Sequence, residues 1–186
     1  MNKQPEKTAQ TRRTLIDAFW ALAQKQSLHS VTISGIAKKA GYNRSTFYIY
    51  FSDLEDLLHQ AEEEILADFR NQMGAALADG LPGDLSAASE TVIKTLFQHN
   101  DKLFLLLGKD GDPSFLARLR EEAAGLSRLI FRDREADPYR EYVVAYVTSA
   151  FAGMLAYWHD TGKRLPLQDL AGISRTLATQ GMKGFL

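Results

Sequence analysis

Apolar residues recur at helical spacing along this chain, and the pattern is most informative between Val31 and Phe51. Within that stretch the intervals of three, one and three residues place four side chains on one face of a short helix: Ile33, Ile36, Ala37 and Ala40. Thr32 is a good N-cap for this helix because its hydroxyl can accept a bond from a free backbone N–H group. The stretch is therefore predicted to begin with a helix of about two turns.

A second short helix is expected directly after the first. Gly41 supplies the residue that tolerates positive φ where a helix ends. Asn43 is a good N-cap for a helix that begins at Arg44 and carries Phe47 and Phe51 four residues apart on its inner face. Two short helices joined by a glycine-containing turn predict a helix-turn-helix.

The second helix of such a motif lies in the major groove of DNA, with its N-terminal residues toward the base edges. Arg44 is placed to hold a guanine bidentately. The candidate DNA-binding residues are hydrogen-bonding side chains in or beside the motif: Thr32, Ser34, Tyr42, Asn43, Arg44, Ser45, Thr46, Tyr48 and Tyr50. The alternative is an ordinary helical hairpin whose polar outer face meets only solvent.

A helix on the N-terminal side completes a three-helix domain over residues 1–51. It is predicted from Thr11 to Gln26, with a buried stripe of Leu15, Ile16, Phe19, Leu22 and Ala23. Residues 1–9 are expected to form a loose arm. Four basic residues near the start could meet the DNA backbone: Lys3, Lys7, Arg12 and Arg13.

A long helix is predicted to follow the motif. Ser52–Glu55 is predicted to form a capping box in which Ser52 is the N-cap and Glu55 reaches back. The helix is expected to extend to about Ala78, with Glu62–Glu64 on a solvated face and an apolar stripe formed by Leu54, Leu58, Ala61, Ile65, Phe69, Met73 and Leu77. It begins at the head and ends in the body, which makes it the natural mechanical link between them.

Turn signals divide the rest of residues 52–186 into further helices. The predicted ranges are Leu85–Gln98, Asp101–Leu107, Pro113–Asp133, Pro138–Asp160 and Pro166–Gln180. No stretch shows a sustained alternation of apolar and polar residues bounded by turns. The predicted fold is all-α with about nine helices, an N-terminal three-helix helix-turn-helix domain on a larger C-terminal helical bundle.

The helix that opens at Pro138 is apolar or small on two sides. One side holds Val143, Val147, Phe151, Met154 and Trp158, and nearly opposite lie Ala145, Ser149, Ala152 and Ala156. A helix with two such sides is buried on both. The large side is predicted to face the core of its own chain, and the small side to form a dimer interface shared with Leu170, Ile173 and Leu177. The alternative is a central helix of a monomeric bundle.

Composition and charge narrow the class of protein. The chain has no cysteine, which excludes disulfides and thiolate metal sites. It has no apolar run of about 18 residues, and its polar start is unlike a signal peptide, so a cytoplasmic location is expected. Residues 1–51 hold eight Lys and Arg against two acids, whereas residues 52–186 hold fourteen against twenty-one. A basic head on an acidic body suits a protein that presents one end to nucleic acid, although chance asymmetry is the alternative.

No catalytic or metal-binding pattern is found. The histidines, His29, His59, His99 and His159, are scattered and form no ligand pair. There is no nucleophile elbow, phosphate-binding glycine loop or dinucleotide fingerprint. We therefore expect neither an enzyme nor a cofactor, and a helical-bundle enzyme is the weakest of the rival interpretations.

The run from Thr32 through Phe51, followed by Ser52–Leu58, resembles the DNA-binding domain of the TetR/AcrR family of bacterial transcriptional regulators. The matching features are Ile36-Ala37, Ala40-Gly41, Thr46-Phe47-Tyr48, Phe51 and Leu57-Leu58, and the resemblance covers roughly residues 10–60. The family often has His where this chain has Tyr50, and Lys where it has Leu54. The phosphate contact made by that lysine is therefore expected to be absent.

The resemblance implies a homodimer that uses the last two helices, a palindromic operator in double-stranded DNA, and a small-molecule inducer held in the C-terminal domain. Most members are repressors. Large apolar residues on the body helices are the candidates for a ligand pocket: Met73, Leu77, Phe97, Phe104, Leu107, Phe115, Phe131 and Trp158. A filled core is the alternative for each of them, and a DNA-binding regulator without a small-molecule inducer is the alternative for the whole.

Overall fold

A computed structural model of the chain describes residues 4–78, 100–108, 110–130 and 139–181. These residues form eight α-helices and a short 3-10 helix at Leu28–Ser30, and they contain no β-strand, which confirms the predicted all-α fold class. The helices are α1 (Gln4–Ala23), α2 (Ile33–Ala40), α3 (Arg44–Tyr50), α4 (Leu54–Ala78), α5 (Asn100–Leu107), α6 (Pro113–Ile130), α7 (Arg140–Asp160) and α8 (Leu167–Gln180). The predicted helix Leu85–Gln98 lies outside the described residues. None of the described helices is long and apolar enough to cross a membrane.

Helix α1 begins at Gln4, so the prediction of a loose arm over residues 1–9 is wrong for residues 4–9. The segment from Gln4 to Gln10 is rich in residues with good helix propensity, such as Gln, Glu, Lys and Ala. Pro5 does not interrupt it, because a proline in the first turn lacks only an N–H group that has no partner within the helix. The helix therefore begins about two turns before the predicted start at Thr11.

The backbone contacts divide the chain into two compact units, residues 1–64 and 65–186. In the first unit α1 packs against α2, and α2 packs against α3. Its core is formed by Leu15, Ile16, Ala18, Phe19, Trp20, Ala23, Leu28, Val31, Ile36, Ala37, Phe47, Phe51, Leu57 and Ala61. Within the predicted stripe of α1, Leu22 is only half-buried, whereas Ala18 and Trp20 outside the stripe are buried. Helix α1 is thus covered on more than one side.

In the second unit α5, α6 and α7 pack against one another. Their shared core contains Leu103, Phe104, Leu106, Phe115, Leu119, Phe151, Leu155 and Trp158. Arg70 of α4 forms an ion pair with Glu122 of α6. The Trp158 indole N–H donates to the carbonyl of Leu165 at 2.7 Å, which fixes the loop between α7 and α8.

The N-terminus of α4 is capped by Asp53 and not, as predicted, by Ser52. Asp53 Oδ1 accepts from the backbone N–H of Asp56 at 2.8 Å, and Asp56 Oδ2 accepts from the N–H of Ser52 at 2.8 Å. The helix begins at Leu54, so Asp56, rather than Glu55, stands in the third helical position from which a side chain reaches back. Asp56 reaches one residue further back than in a capping box, to the N–H of Ser52 rather than to that of the cap residue Asp53.

Glu62 is 1% exposed, so the prediction of a solvated Glu62–Glu64 face is wrong for this residue. Glu62 lies four residues from both Leu58 and Leu66, and therefore shares a side of α4 with them. Leu57 and Leu66 are also buried although they stand outside the predicted stripe. The covered side of α4 is wider than the stripe of apolar residues.

Candidate nucleic-acid interface

Helix α2 is bounded by the two signals that the sequence predicts. Thr32 Oγ1 accepts from the backbone N–H of Gly35 at 3.2 Å. At the other end Gly41 has a φ of 78°, the N–H of Gly41 bonds to the carbonyl of Lys38, and the N–H of Tyr42 bonds to that of Ala37. This pair of bonds is a Schellman motif, which requires a left-handed residue at the position of Gly41.

Helix α3 is held at its start by Asn43. The Asn43 Oδ1 atom accepts three bonds: from the backbone N–H of Thr46 at 2.9 Å, from the Thr46 hydroxyl at 2.9 Å and from the Ser45 hydroxyl at 2.6 Å. The predicted N-cap is confirmed. Because their protons are engaged here, the hydroxyls of Ser45 and Thr46 offer acceptor lone pairs to a bound molecule.

The outer side of α3 presents polar side chains that contact one another. Arg44 Nη2 donates to the Tyr48 hydroxyl at 3.3 Å, and both side chains are exposed. The Tyr48 ring packs edge-on against buried Phe47, with centroids 5.6 Å apart. In the preceding turn the Tyr42 hydroxyl lies 3.4 Å from Thr11 Oγ1 of α1. These contacts orient the side chains without DNA, which lowers the ordering cost of binding it.

The remaining predicted DNA-binding residues are placed differently. Thr32 is exposed, but its side-chain oxygen caps α2, and Ser34 is exposed in the first turn of that helix. Tyr50 is half-buried. It lies about 100° around α3 from exposed Ile49, on the flank of the helix rather than at the centre of its outer side.

Ile49 is missing from the predicted site although it is 74% exposed on the outer side of α3. The spacing carries the signal, because Ile49 follows Ser45 by four residues and buried Phe47 by two. The residue type concealed it, since an isoleucine in a short helix is first assigned to the core.

Arg12, predicted as a possible contact to the DNA backbone, instead binds side chains of α4. Its Nε donates to Gln60 Oε1 at 2.9 Å, and its Nη1 donates to Glu64 Oε1 at 2.7 Å. The guanidinium carbon lies 5.9 Å from the centroid of the Phe51 ring. Arg12 thereby joins α1 to the first three turns of α4.

The start of α4 is acidic. The pKa of the Asp56 carboxyl lies below its usual value, because the Gln60 side chain and the Ser52 backbone donate hydrogen bonds to it. Leu54, which stands where the family often has a lysine, is half-buried between Asp53 and Glu55. The first turn of α4 therefore carries no lysine that could contact a DNA phosphate.

The candidate pocket residues are placed as follows. Phe104, Phe115 and Trp158 are buried and Leu107 is half-buried. Met73, Leu77, Phe97 and Phe131 have side chains outside the described part of the chain. The Phe104 ring is 5.1 Å from Trp158 and 5.0 Å from His159, and Lys163 Nζ lies 4.9 Å from its centroid. The Phe104 ring is thus in contact with side chains of α7 and of the loop that follows it.

The predicted dimer interface is divided between exposed and buried residues. Ala152 and Leu170 are 6% and 3% exposed within one chain, so they are unavailable to a second copy, and for these two residues the interpretation needs correction. Ala145 and Leu177 are exposed, and Ser149, Ala156 and Ile173 are half-buried. Ser149 is engaged internally, because its hydroxyl donates to the Ala145 carbonyl and accepts from Arg120.

The open side of α7 is a different one. Val143 and Val147, predicted in the core, are 56% and 44% exposed. They share that side of the helix with exposed aromatic and small residues: Tyr139, Tyr142, Tyr146, Ala150, Gly153 and Tyr157. The prediction of two buried sides fails here because the rest of the described chain covers the sides of Phe151, Leu155, Trp158 and Ala152 but leaves that of Val143 open. We call the open side, with Val143 and Val147, the tyrosine face of α7.

Two families match the chain. Residues 15–61 match the family described as bacterial regulatory proteins, tetR family. Residues 84–180, more than half of the chain, match the family described as transcriptional regulator C-terminal region.

The chain is similar to a relative and to solved structures. It is 25% identical over 167 residues to the uncharacterized HTH-type transcriptional regulator YxbF of Bacillus subtilis (strain 168), a match covering 89% of this chain and 43% of that protein. The chain thus spans less than half the length of that relative.

Among solved structures, the fatty acid degradation regulator FadR from Bacillus halodurans superimposes with a TM-score of 0.76 at 16% identity, over 93% of this chain and 96% of FadR. The TetR-like transcriptional regulator LfrR from Mycobacterium smegmatis, in complex with proflavine, superimposes with a TM-score of 0.61 at 18% identity, over 92% and 96% of the two chains. The fold, the helix-turn-helix and the family matches agree, and the chain belongs to the TetR family of bacterial transcriptional regulators.

Proposed function

We propose that this protein is a ligand-responsive transcriptional repressor that binds a palindromic operator as a homodimer in the cytoplasm. The observation that carries the proposal is the outer side of α3, a helix fixed by its Asn43 cap and by Phe47, with Arg44 and Tyr48 exposed on it. A helix that presents such side chains is suited to the major groove.

Arg44 is the side chain expected to read a base. Its hydrogen-bond partner is the neutral hydroxyl of Tyr48 at 3.3 Å, so its charge is not neutralised by that contact. A guanidinium held in this way can donate to O6 and N7 of guanine, while the Ser45 and Thr46 hydroxyls accept from exocyclic amino groups. Contacts from exposed basic residues to phosphates would position the protein on the duplex but would not distinguish one base sequence from another.

The tyrosine face of α7 supports a dimer. Tyrosine is enriched at protein interfaces, because its ring buries a large apolar area while its hydroxyl keeps a polar partner. Ala145 of α7 and Leu177 of α8 are the members of the predicted interface that remain exposed. Two copies related by a two-fold axis present two α3 helices, which requires a roughly palindromic site with half-sites about 34–36 Å apart.

The support for a small-molecule ligand is weaker and comes from similarity. LfrR, with the same fold, is in complex with proflavine. Helix α4 supplies residues to both compact units. A ligand that shifts α4 would therefore also move the part of α4 that belongs to the first unit. The packing of Phe104 against Trp158, His159 and Lys163 favours the second candidate function, a DNA-binding regulator without a small-molecule inducer.

Selection of bound duplexes from a random-sequence library tests operator binding, and the Arg44→Ala variant tests its mechanism. We expect selection to enrich a palindrome and Arg44→Ala to weaken binding to it by about 1–3 kcal/mol, the value of one bidentate base contact. Binding to random DNA should change less. Equal losses on selected and random duplexes would show that Arg44 contacts phosphate only.

Titration of a metabolite library against thermal unfolding tests the ligand, since a molecule that binds only the folded protein raises its midpoint. A true inducer must bind less tightly when the selected duplex saturates the protein, by the same factor with which it weakens DNA binding. Equal affinity with and without DNA in calorimetry would assign the ligand another role. A library that produces no shift would favour the regulator without an inducer.

A further inference from the structure

Ile49 is the large apolar side chain that α3 exposes most fully, at 74%. A single exposed hydrophobic residue is ordinary on a protein surface. This one stands at the centre of the helix side that the proposed function turns toward DNA, between Ser45 one turn earlier and neighbouring Tyr48. The location of Ile49 on this side of α3, rather than its exposure alone, therefore needs a physical explanation.

The direction of Ile49 is fixed by its neighbours in the helix. Phe47 is completely buried and anchors the inner side, and two residues further on the direction has rotated by about 200°. The side chain is also stiff, because a β-branched residue in a helix strongly prefers one χ1 rotamer. Ile49 is therefore a preorganised apolar projection among hydrogen-bonding side chains.

Base pairs offer one apolar group in the major groove, the C5-methyl group of thymine. An apolar side chain cannot satisfy the amino, carbonyl or ring-nitrogen groups beside it, so an isoleucine held against the other bases would leave polar groups without partners. We propose that Ile49 is a specificity-determining residue that contacts a thymine methyl in each half of the operator. This inference rests on the proposed DNA-binding function and adds an apolar readout to the hydrogen bonds of Arg44.

Thymine-to-deoxyuridine substitution tests the proposal, because it removes the methyl group and leaves the base pairing unchanged. The probe is the synthetic duplex that the wild-type full chain enriches from a random library, with each thymine replaced in turn and symmetrically in both half-sites. At one thymine of each half-site we expect wild-type affinity to fall by about fourfold per methyl, roughly the effect of one buried methylene-sized group. Ile49→Ala should bind the thymine and deoxyuridine duplexes equally, and Ile49→Val should retain part of the difference.

Ile33→Val serves as the matched control, because it removes the same methylene from an isoleucine that is half-buried in the first turn of α2. It should discriminate thymine from deoxyuridine as the wild type does. The inference is overturned if no deoxyuridine substitution affects the wild type, if the enriched half-sites contain no thymine, or if Ile49→Ala keeps the wild-type ratio. A selection that enriches no duplex would instead refute the proposed function, and these outcomes are distinguishable.

Discussion

At the residue scale, the turn between α3 and α4 shows how single side chains decide where a helix starts. Asp53 satisfies the N–H of Asp56, and Asp56 satisfies the N–H of Ser52. Gln60 donates to the other carboxylate oxygen of Asp56 at 2.8 Å. One carboxylate thus joins the residue before the cap to the second turn of α4.

Asp56→Asn removes the charge from this junction and should lower the stability of the protein at neutral pH. The pKa of Asp56 in the folded protein lies below the reference value of 3.8, so the folded state binds fewer protons than the unfolded chain between the two values. The stabilising contribution is complete above the unfolded pKa and disappears as pH falls through the folded pKa. We expect a loss of up to about 1 kcal/mol near pH 7, which shrinks on acidification below pH 3.8.

Thermal unfolding of both proteins across this pH range measures the effect. Glu55→Gln is the control, since it removes a neighbouring exposed carboxylate that stands at the wrong position to reach back to Ser52. A constant difference between wild type and Asp56→Asn down to acid pH would contradict the assignment.

At the element scale, the helix-turn-helix depends on one left-handed residue. The φ of 78° at Gly41 ends α2 and directs the chain into α3. A Cβ atom added there would meet nothing within 4 Å. Any penalty for a side chain at this position is therefore backbone strain and not a clash.

Gly41→Ala should destabilise the protein by roughly 1–2 kcal/mol, the cost of a left-handed L-residue, and Gly41→Asn should cost less. Gly74→Ala is the matched control, because Gly74 lies inside α4 and its added Cβ also meets nothing within 4 Å. That change should stabilise by about 0.5–1 kcal/mol, since alanine restricts the unfolded chain. Denaturant unfolding measures both, and a Gly41→Ala variant as stable as the wild type would show that this turn does not depend on a glycine.

The contacts of Arg12 with α4 lead to a second prediction at this scale. Because it bonds Gln60 and Glu64, Arg12→Ala should lower stability by roughly 1 kcal/mol, a modest value for partly exposed ion pairs. It should leave unchanged the slope of log affinity for DNA against log salt concentration. Arg13→Ala removes the same charge from an exposed neighbour. If Arg13 contacts a phosphate, the slope measured for this variant should be smaller in magnitude by about 0.9. A reduced slope for Arg12→Ala would place Arg12 on the DNA backbone.

The sequence predicts elements best where partners lie within a few residues. Thr32, Gly41 and Asn43 act on groups no more than four residues away, so their roles follow from residue type and spacing. Burial depends on helices distant in sequence, and spacing alone misassigns Glu62 and Val143. In the candidate interface, Arg44 is found by its chemistry, whereas the apolar side chain of Ile49 conceals the outward position that its spacing indicates.

At the scale of the whole molecule, the tyrosine face of α7 is the surface on which the proposed dimer can be tested. Ala152 is buried in one protomer, so a large residue there would disrupt the protomer's own packing and report nothing about assembly. Tyr146 is 73% exposed near the middle of the tyrosine face. It is the better position for a disruptive charge.

Tyr146→Glu should convert a wild-type dimer into a folded monomer, because an unpaired carboxylate is costly to desolvate at the centre of an interface. Sedimentation at micromolar concentration measures the mass, and far-ultraviolet circular dichroism confirms folding. Gln168→Glu adds the same charge at an exposed position of α8 and should leave the dimer intact. A wild-type monomer, or a dimer unaffected by Tyr146→Glu, would place the interface elsewhere.

The contacts of Arg12 also bear on how this DNA-binding module can be exchanged between regulators. A chimera joined after Phe51 would separate Arg12 from Gln60 and Glu64 and remove buried Leu57 from the core of the first unit. A junction after Glu64, where the first compact unit ends, keeps all of these residues together. The transferable module therefore consists of α1 to α3 with the first three turns of α4, and a sensor body fused to it must begin inside a helix and continue that helix without a break.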